Sequence, residues 1–182
     1  MSAAAINKHK TDNDQSAPHS FNQAAENTSV CVLVGHSIEA ITSAVVLASL
    51  GHTVHLYTDK EVLTQQLQQY GFEHHVQALW QMYVQQQKIV SYALPTTASK
   101  LLEHYETSDN NNERKQVALY WLFLDSIRPV WQADSWITAF NHSHQQTLPL
   151  IMSGINQLGA VDALSNQFQR AWVCYVPFVF LK

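Results

Sequence analysis

Gly35, Ser37, Ile38, Glu39 and Ala40, in the stretch VLVGHSIEA (32–40), have the types and spacing of a phosphate-binding turn between a strand and a helix. A dinucleotide turn needs a tight bend, close approach of the backbone to the pyrophosphate, and an open helix N-terminus whose N–H groups face the anion. Gly35 supplies the bend, and Ala40 is an accepted substitute for the third glycine of G-x-G-x-x-G. Ser37 stands at the second glycine, where its Cβ and hydroxyl crowd the pyrophosphate. Glu39 adds negative charge in the first helical turn, where the phosphates would lie. Its carboxylate favours the helix dipole instead, by roughly 0.3–1 kcal/mol. Ser37 can also cap the helix, accepting from the backbone N–H of Glu39 or Ala40. A self-capped helix without a ligand therefore outweighs a working pyrophosphate site, and NAD is expected to bind weakly or not at all.

Other groups offer less chemistry. His74 and His75 are adjacent, so on a helix they diverge. His142-x-His144 has poor helical geometry for a metal and no Cys or carboxylate at ligand spacing. Ten histidines are read as solvated faces rather than as a metal site. There is no P-loop and no ordered Ser-His-Asp set. Tyr120, Trp121 and Phe123 read as core residues of a strand. Trp131 and Trp136 beside Arg128 are expected to form an exposed aromatic patch suited to protein contact.

The elements that must position these residues alternate in type. Residues 1–29 are polar and lack apolar periodicity, so a flexible tail is expected. A single domain is expected over 30–182. VCVLVG is an apolar run of strand length, as when both faces of a parallel strand are covered. Ile38, Ile41, Ala44, Val45 and Ala48 then follow helical spacing up to Gly51, a natural C-terminal cap. TVHLYT, KIVSYAL, VALYWLFLD, LPLIMSG and WVCYVPF read as further strands, and VALYWLFLD, the most hydrophobic, is expected to be central. Helical stretches lie between them, at about 60–70 and 73–87 and then in TASKLLEHYE, DSWITAFNHSHQQ and NQLGAVDALSNQFQR. Strands alternating with helices imply an α/β fold with a parallel, doubly wound sheet. The expected sheet has six strands in the order 3-2-1-4-5-6, with helices on both faces.

Composition narrows the partners. A net charge of −4, with only ten Lys and Arg and no basic cluster, argues against nucleic acid. No apolar run reaches the ~18 residues needed to span a bilayer, and the N-terminus has no apolar signal core. Cys31 and Cys174 sit in apolar runs, as thiols do in a reducing cytoplasm. Five glycines are few for a nucleotide-binding domain.

The segment GHSIEAITSAVVLASLGHTVHLYTD resembles the opening βαβ unit of the UDP-glucose/GDP-mannose dehydrogenase family, which reads G-x-G-Y-V-G-L, then L-G-H-x-V and a ribose-binding Asp. EHHVQALW, LFLDSIRPVWQADS, LIMSGINQLG and CYVPFVFL are similar, in order, to four later family segments. The resemblance runs from about Val30 to Lys182. It implies an N-terminal Rossmann domain that binds NAD, with a dinucleotide or nucleotide sugar as ligand. The family's helical linker and its sugar-nucleotide domain with the catalytic Cys would follow, and a reading frame continuing past Lys182 could supply them. Neither Cys31 nor Cys174 matches the nucleophile.

The resemblance places Thr58 at the ribose Asp, with Asp59 one residue later. Asp59 either reaches a ribose, with Lys60 near the adenosine, or caps the next helix. A T-P pair becomes Arg128-Pro129, where the cation could meet a phosphate although a surface Arg is the commoner case. Ser153 is retained from K-S-T, but Met152 and Gly154 replace its neighbours. In N-P-E, Val176 and Phe178 replace the Asn and the catalytic Glu, and Pro177 persists. Apolar groups there cannot transfer protons or hold an oxyanion. Two functions are thus expected in parallel. One is a nucleotide-sugar-dehydrogenase-like NAD domain without catalysis. The other is a module that keeps the fold to dimerise or to bind a protein partner, linked to polysaccharide synthesis.

Overall fold

Five consecutive apolar residues form strand β1 (Val30–Val34), buried along its whole length. Successive side chains serve opposite faces. Cys31 and Leu33 pack in one layer with Ala40, Ile41, Ala44 and Val45 of helix α1 (Ile38–Ser49). Val30, Val32 and Val34 pack in the layer on the other face. The computed structural model describes residues 29–69, 74–106, 117–127, 131, 133–143, 149–153, 160–168 and 171–173.

Helix α1 stops where the sequence says it should. Gly51 adopts φ 93° with open space around its Cα. Its N–H donates to the Ala48 carbonyl at 3.0 Å, and the His52 N–H reaches back to the Leu47 carbonyl at 3.1 Å. This pair of bonds closes a Schellman motif and satisfies carbonyls that the helix would otherwise leave open. The chain returns as β2 (Thr53–Thr58), parallel to β1 with Val30 opposite Thr53 and Val34 opposite Tyr57.

Helices α2 (Lys60–Gln69) and α3 (His74–Gln85) lead to β3 (Ile89–Ala93), parallel to β2. Helix α4 (Ala98–Glu106) then carries the chain to β4 (Val117–Phe123), which pairs on the opposite side of β1. A short helix α5 (Leu124–Ile127) and helix α6 (Ala133–His142) precede β5 (Leu150–Ser153). Helix α7 (Ala160–Gln167) leads to the three-residue β6 (Ala171–Val173), which pairs with β5. Every pairing is parallel, and the order is β3-β2-β1-β4-β5-β6. The α/β class and the central position of β4 are as the sequence implies, and this order is compatible with a Rossmann-like class.

Two apolar layers sandwich the sheet. One contains Ile41, Leu63, Trp80 and Phe123. The other contains Leu101, Leu122, Trp131, Trp136, Phe140 and Phe168. Two expectations need correction here. Trp131 and Trp136 form no exposed patch, since each is 1% exposed. The Trp131 indole donates to the Pro95 carbonyl at 2.8 Å, and Trp136 stacks on Phe168 with centroids 5.5 Å apart. Apolar area outweighs the polar residues beside them in sequence. The strand expected over VALYWLFLD ends at Phe123, because Leu124 and Asp125 turn into α5. Leu124 is fully buried, so the apolar run hides the change of conformation. Among the described residues, no helix is long and apolar enough to cross a membrane.

Candidate functional site

Parallel strands bring the ends of β1, β2, β4 and β5 to one rim. Between β1 and β4 the chain's connections diverge to opposite faces, because β1 leads to α1 and β4 leads to α5 and α6. Open α/β sheets bind ligands at such a divergence. The phosphate-type turn sits there.

Gly35 has φ 151° and donates its N–H to the Tyr57 carbonyl at 2.9 Å. A Cβ on it would lie 2.6 Å from Ser126 Oγ and 2.7 Å from Phe123 Cβ. Glycine is required here by the closeness of the β4–α5 corner as well as by the bend. Ser126 fills the space. Its hydroxyl donates to the Phe123 carbonyl at 2.8 Å and accepts from the His36 N–H at 3.2 Å. Ser37, extended at ψ 163°, is the N-cap of α1, and its Oγ accepts from the Ala40 N–H over a long 3.4 Å. Ile38 and Ala40 are buried against the sheet. Two backbone donors of the turn are thereby taken by serine hydroxyls, one local and one from ninety residues away.

The charges at this corner are acidic. Glu39 is half-buried in the first turn of α1, and Asp125 is exposed in the first turn of α5. Partial desolvation, then the Glu39 charge, push the Asp125 carboxyl above the usual carboxylate range. The Ser126 N–H, Asp125's own N–H and His36 pull it back. The Nδ1 atom of His36 is buried and, among the described residues, has no hydrogen-bond partner. An anion entering this corner would meet two carboxylates, with the Gly35, His36 and Ala40 N–H groups already engaged.

At the end of β2, Thr58 is fully buried and its hydroxyl donates weakly to the Asp59 carbonyl at 3.4 Å. Asp59 resolves in favour of capping. Its Oδ1 accepts from the N–H groups of Glu61 at 2.9 Å and Val62 at 3.2 Å, at the start of α2. Lys60 is the exposed first residue of that helix. Ser153, at the end of β5, is 2% exposed and accepts the Trp121 indole N–H at 2.8 Å. It is an internal partner for a tryptophan, not a free hydroxyl at the rim. Arg128, Pro129, Gly154, His144, Cys174, Val176, Pro177, Phe178 and the tail 1–28 lie outside the described residues.

Sequence reasoning missed Ser126 and Asp125. Both follow an apolar strand without any motif, and their partners are remote in the chain. Cys31 is buried and free, its thiol pushed up by burial. Tyr120 and Phe123 are core residues as expected, and Trp121 is half-buried and stacked on Phe123 at 5.2 Å. No protein-family model matches the chain, and no curated protein matches it significantly.

Proposed function

We propose that the chain is a Rossmann-like, doubly wound domain of six strands, of the NAD-binding type found in nucleotide-sugar dehydrogenases, whose phosphate turn is closed by its own side chains. As this chain it is non-catalytic, and its affinity for NAD is weak or lost. One observation carries the reading: Ser37 and Ser126 accept the Ala40 and His36 N–H groups at the turn. Glu39 and Asp125 add charge of the wrong sign for a pyrophosphate at the same corner.

Thermal unfolding with NAD, NADH and UDP-glucose tests it. A specific ligand at a hundred times its Kd stabilises by about 2.7 kcal/mol, a shift of several degrees for a chain of this size. The reading predicts no shift up to about millimolar ligand and no NADH formation from UDP-glucose or GDP-mannose. A clear shift, or turnover above background, contradicts it.

The second reading, a cytoplasmic module kept for dimerisation or protein contact, draws on a different observation. Val46 on α1 and Leu50 at its C-cap are 50% and 68% exposed, and Met82 and Val84 on neighbouring α3 are 36% and 41% exposed. Helices that expose such side chains offer an apolar contact surface. Light scattering of the wild type and of Leu50→Asp distinguishes the readings: a mass that falls in the variant favours contact, and a monomer in both removes this support.

A further inference from the structure

The two helix layers differ in charge. Helices α1, α2 and α3 cover one face of the sheet through Ile41, Leu63 and Trp80, and α4, α6 and α7 cover the other through Leu101, Trp136 and Leu164. The second layer exposes Lys100, Glu103 and Asp162. In the first layer, the charged residues of the three helices are Glu39, Lys60 and Glu61, each in a first turn at the rim. Helix α3 contains no Asp, Glu, Lys or Arg along its whole length. Lys88, beyond its end, is half-buried.

A helix that faces water on one side carries charged and polar residues there. The outer sides of α1 and α3 do not follow that pattern. Val46 and Leu50, one turn apart at the end of α1, are exposed. Ala78, Gln81, Met82 and Gln85 are exposed on α3, at a spacing that sets them on the side away from buried Trp80. The two helices pack beside each other, so their outer sides form one surface. Loss of charge, with Met and apolar groups among neutral ones, is the composition of an interface core.

The same surface says what fits it. The chain carries a net charge of −4, so two copies that met by charged faces would repel each other. On the outer side of α1 and α3 that cost is absent. A glutamine amide both donates and accepts, so it can meet its own copy, which neither Lys nor Glu can do. A twofold contact sets the same patch on both sides. An anionic membrane would instead select Lys and Arg. We propose that a second copy of this chain docks on the outer side of α1 and α3, giving a twofold dimer with these neutral residues at its centre. The proposal rests on the contact reading above and fixes both its partner and its face. The phosphate turn, at the opposite end of α1, lies outside the contact.

Light scattering of the wild type at about 100 µM should give the mass of two chains, because a Kd of about 10 µM leaves most chains paired there. A monomer overturns the proposal and removes the support for the contact reading with it. Two double variants then locate the face: Gln81→Glu with Gln85→Glu, and Gln81→Lys with Gln85→Lys. Each sets like charges across the contact and should raise the dimer Kd by about tenfold or more. An equimolar mixture of the two should recover the dimer, since opposite charges then face each other. A dimer undiminished in both variants overturns this face and leaves the contact reading standing. A mixture that pairs no more tightly than its components also overturns the proposal. Should either double variant fail to fold, Val46→Glu and Val46→Lys carry the same comparison.

Discussion

Gly35 shows how one position can serve a bend and a contact together. Its φ of 151° favours glycine, and a Cβ would overlap Phe123 Cβ and Ser126 Oγ. Gly35→Ala should therefore cost roughly 2–4 kcal/mol, combining backbone strain with overpacking against an atom fixed to the backbone. Denaturant unfolding would measure it, and a cost below about 0.5 kcal/mol would contradict the geometry. Asp125 gives a prediction of the opposite sign. Its carboxyl is pushed up, so the folded state binds its proton more readily than the unfolded state. The ionised group thus weakens the fold at neutral pH, and this cost disappears as the pH falls through the raised carboxyl range. Asp125→Asn should raise Tm at pH 7 and lose that advantage in acid; an unchanged or lowered Tm at pH 7 would count against the Glu39–Asp125 repulsion. Part of this corner was readable in the sequence. Ser37 as a cap needs only its own helix, three residues away. The Ser126–His36 bond spans ninety residues and follows no periodicity, so nothing in the chain announced it.

At the scale of elements, caps and ends explain where legibility stops. The end of α1 could be read because Gly51 solves a local problem with a residue type that has few rivals. Asp59 was ambiguous because a carboxylate after a strand suits a ribose and a helix N-terminus equally well. The bonds to the Glu61 and Val62 N–H groups now assign it to α2. Asp59→Ala should cost about 1 kcal/mol, within the usual 0.5–2 kcal/mol for losing a cap. The β4–α5 boundary was missed because fully buried Leu124 extends the apolar run of the strand into the helix. Trp131 and Trp136 were misplaced for the converse reason: their polar sequence neighbours suggest a surface, while packing against Pro95 and Phe168 buries them.

At the scale of the whole molecule, parallel strands β1, β2, β4 and β5 deliver Gly35, Ser37, Thr58, Asp59 and Ser153 to one rim, where the Ser37 and Ser153 hydroxyls and the Asp59 carboxylate are engaged internally and Lys60 is exposed beside them. The fold class followed from alternation, which is a global pattern. The state of the site did not, because it depends on contacts between distant segments. Glu39 should matter more than Ser37 in keeping an anion out, since like charges a few Å apart near a surface cost on the order of a few kcal/mol before salt screening. Replacing Ser37 by Gly removes only a cap that Gly tolerates, at a few tenths of a kcal/mol. The most direct measurement is calorimetric titration of NAD into the wild type, Ser37→Gly, Glu39→Val and the double variant. The wild type should show no binding below millimolar NAD, and the double variant should gain measurable affinity while losing a little thermal stability. Tight binding of NAD by the wild-type protein would contradict the account, because the turn would then accommodate Ser37, Glu39 and the Ser126 contact together with a pyrophosphate.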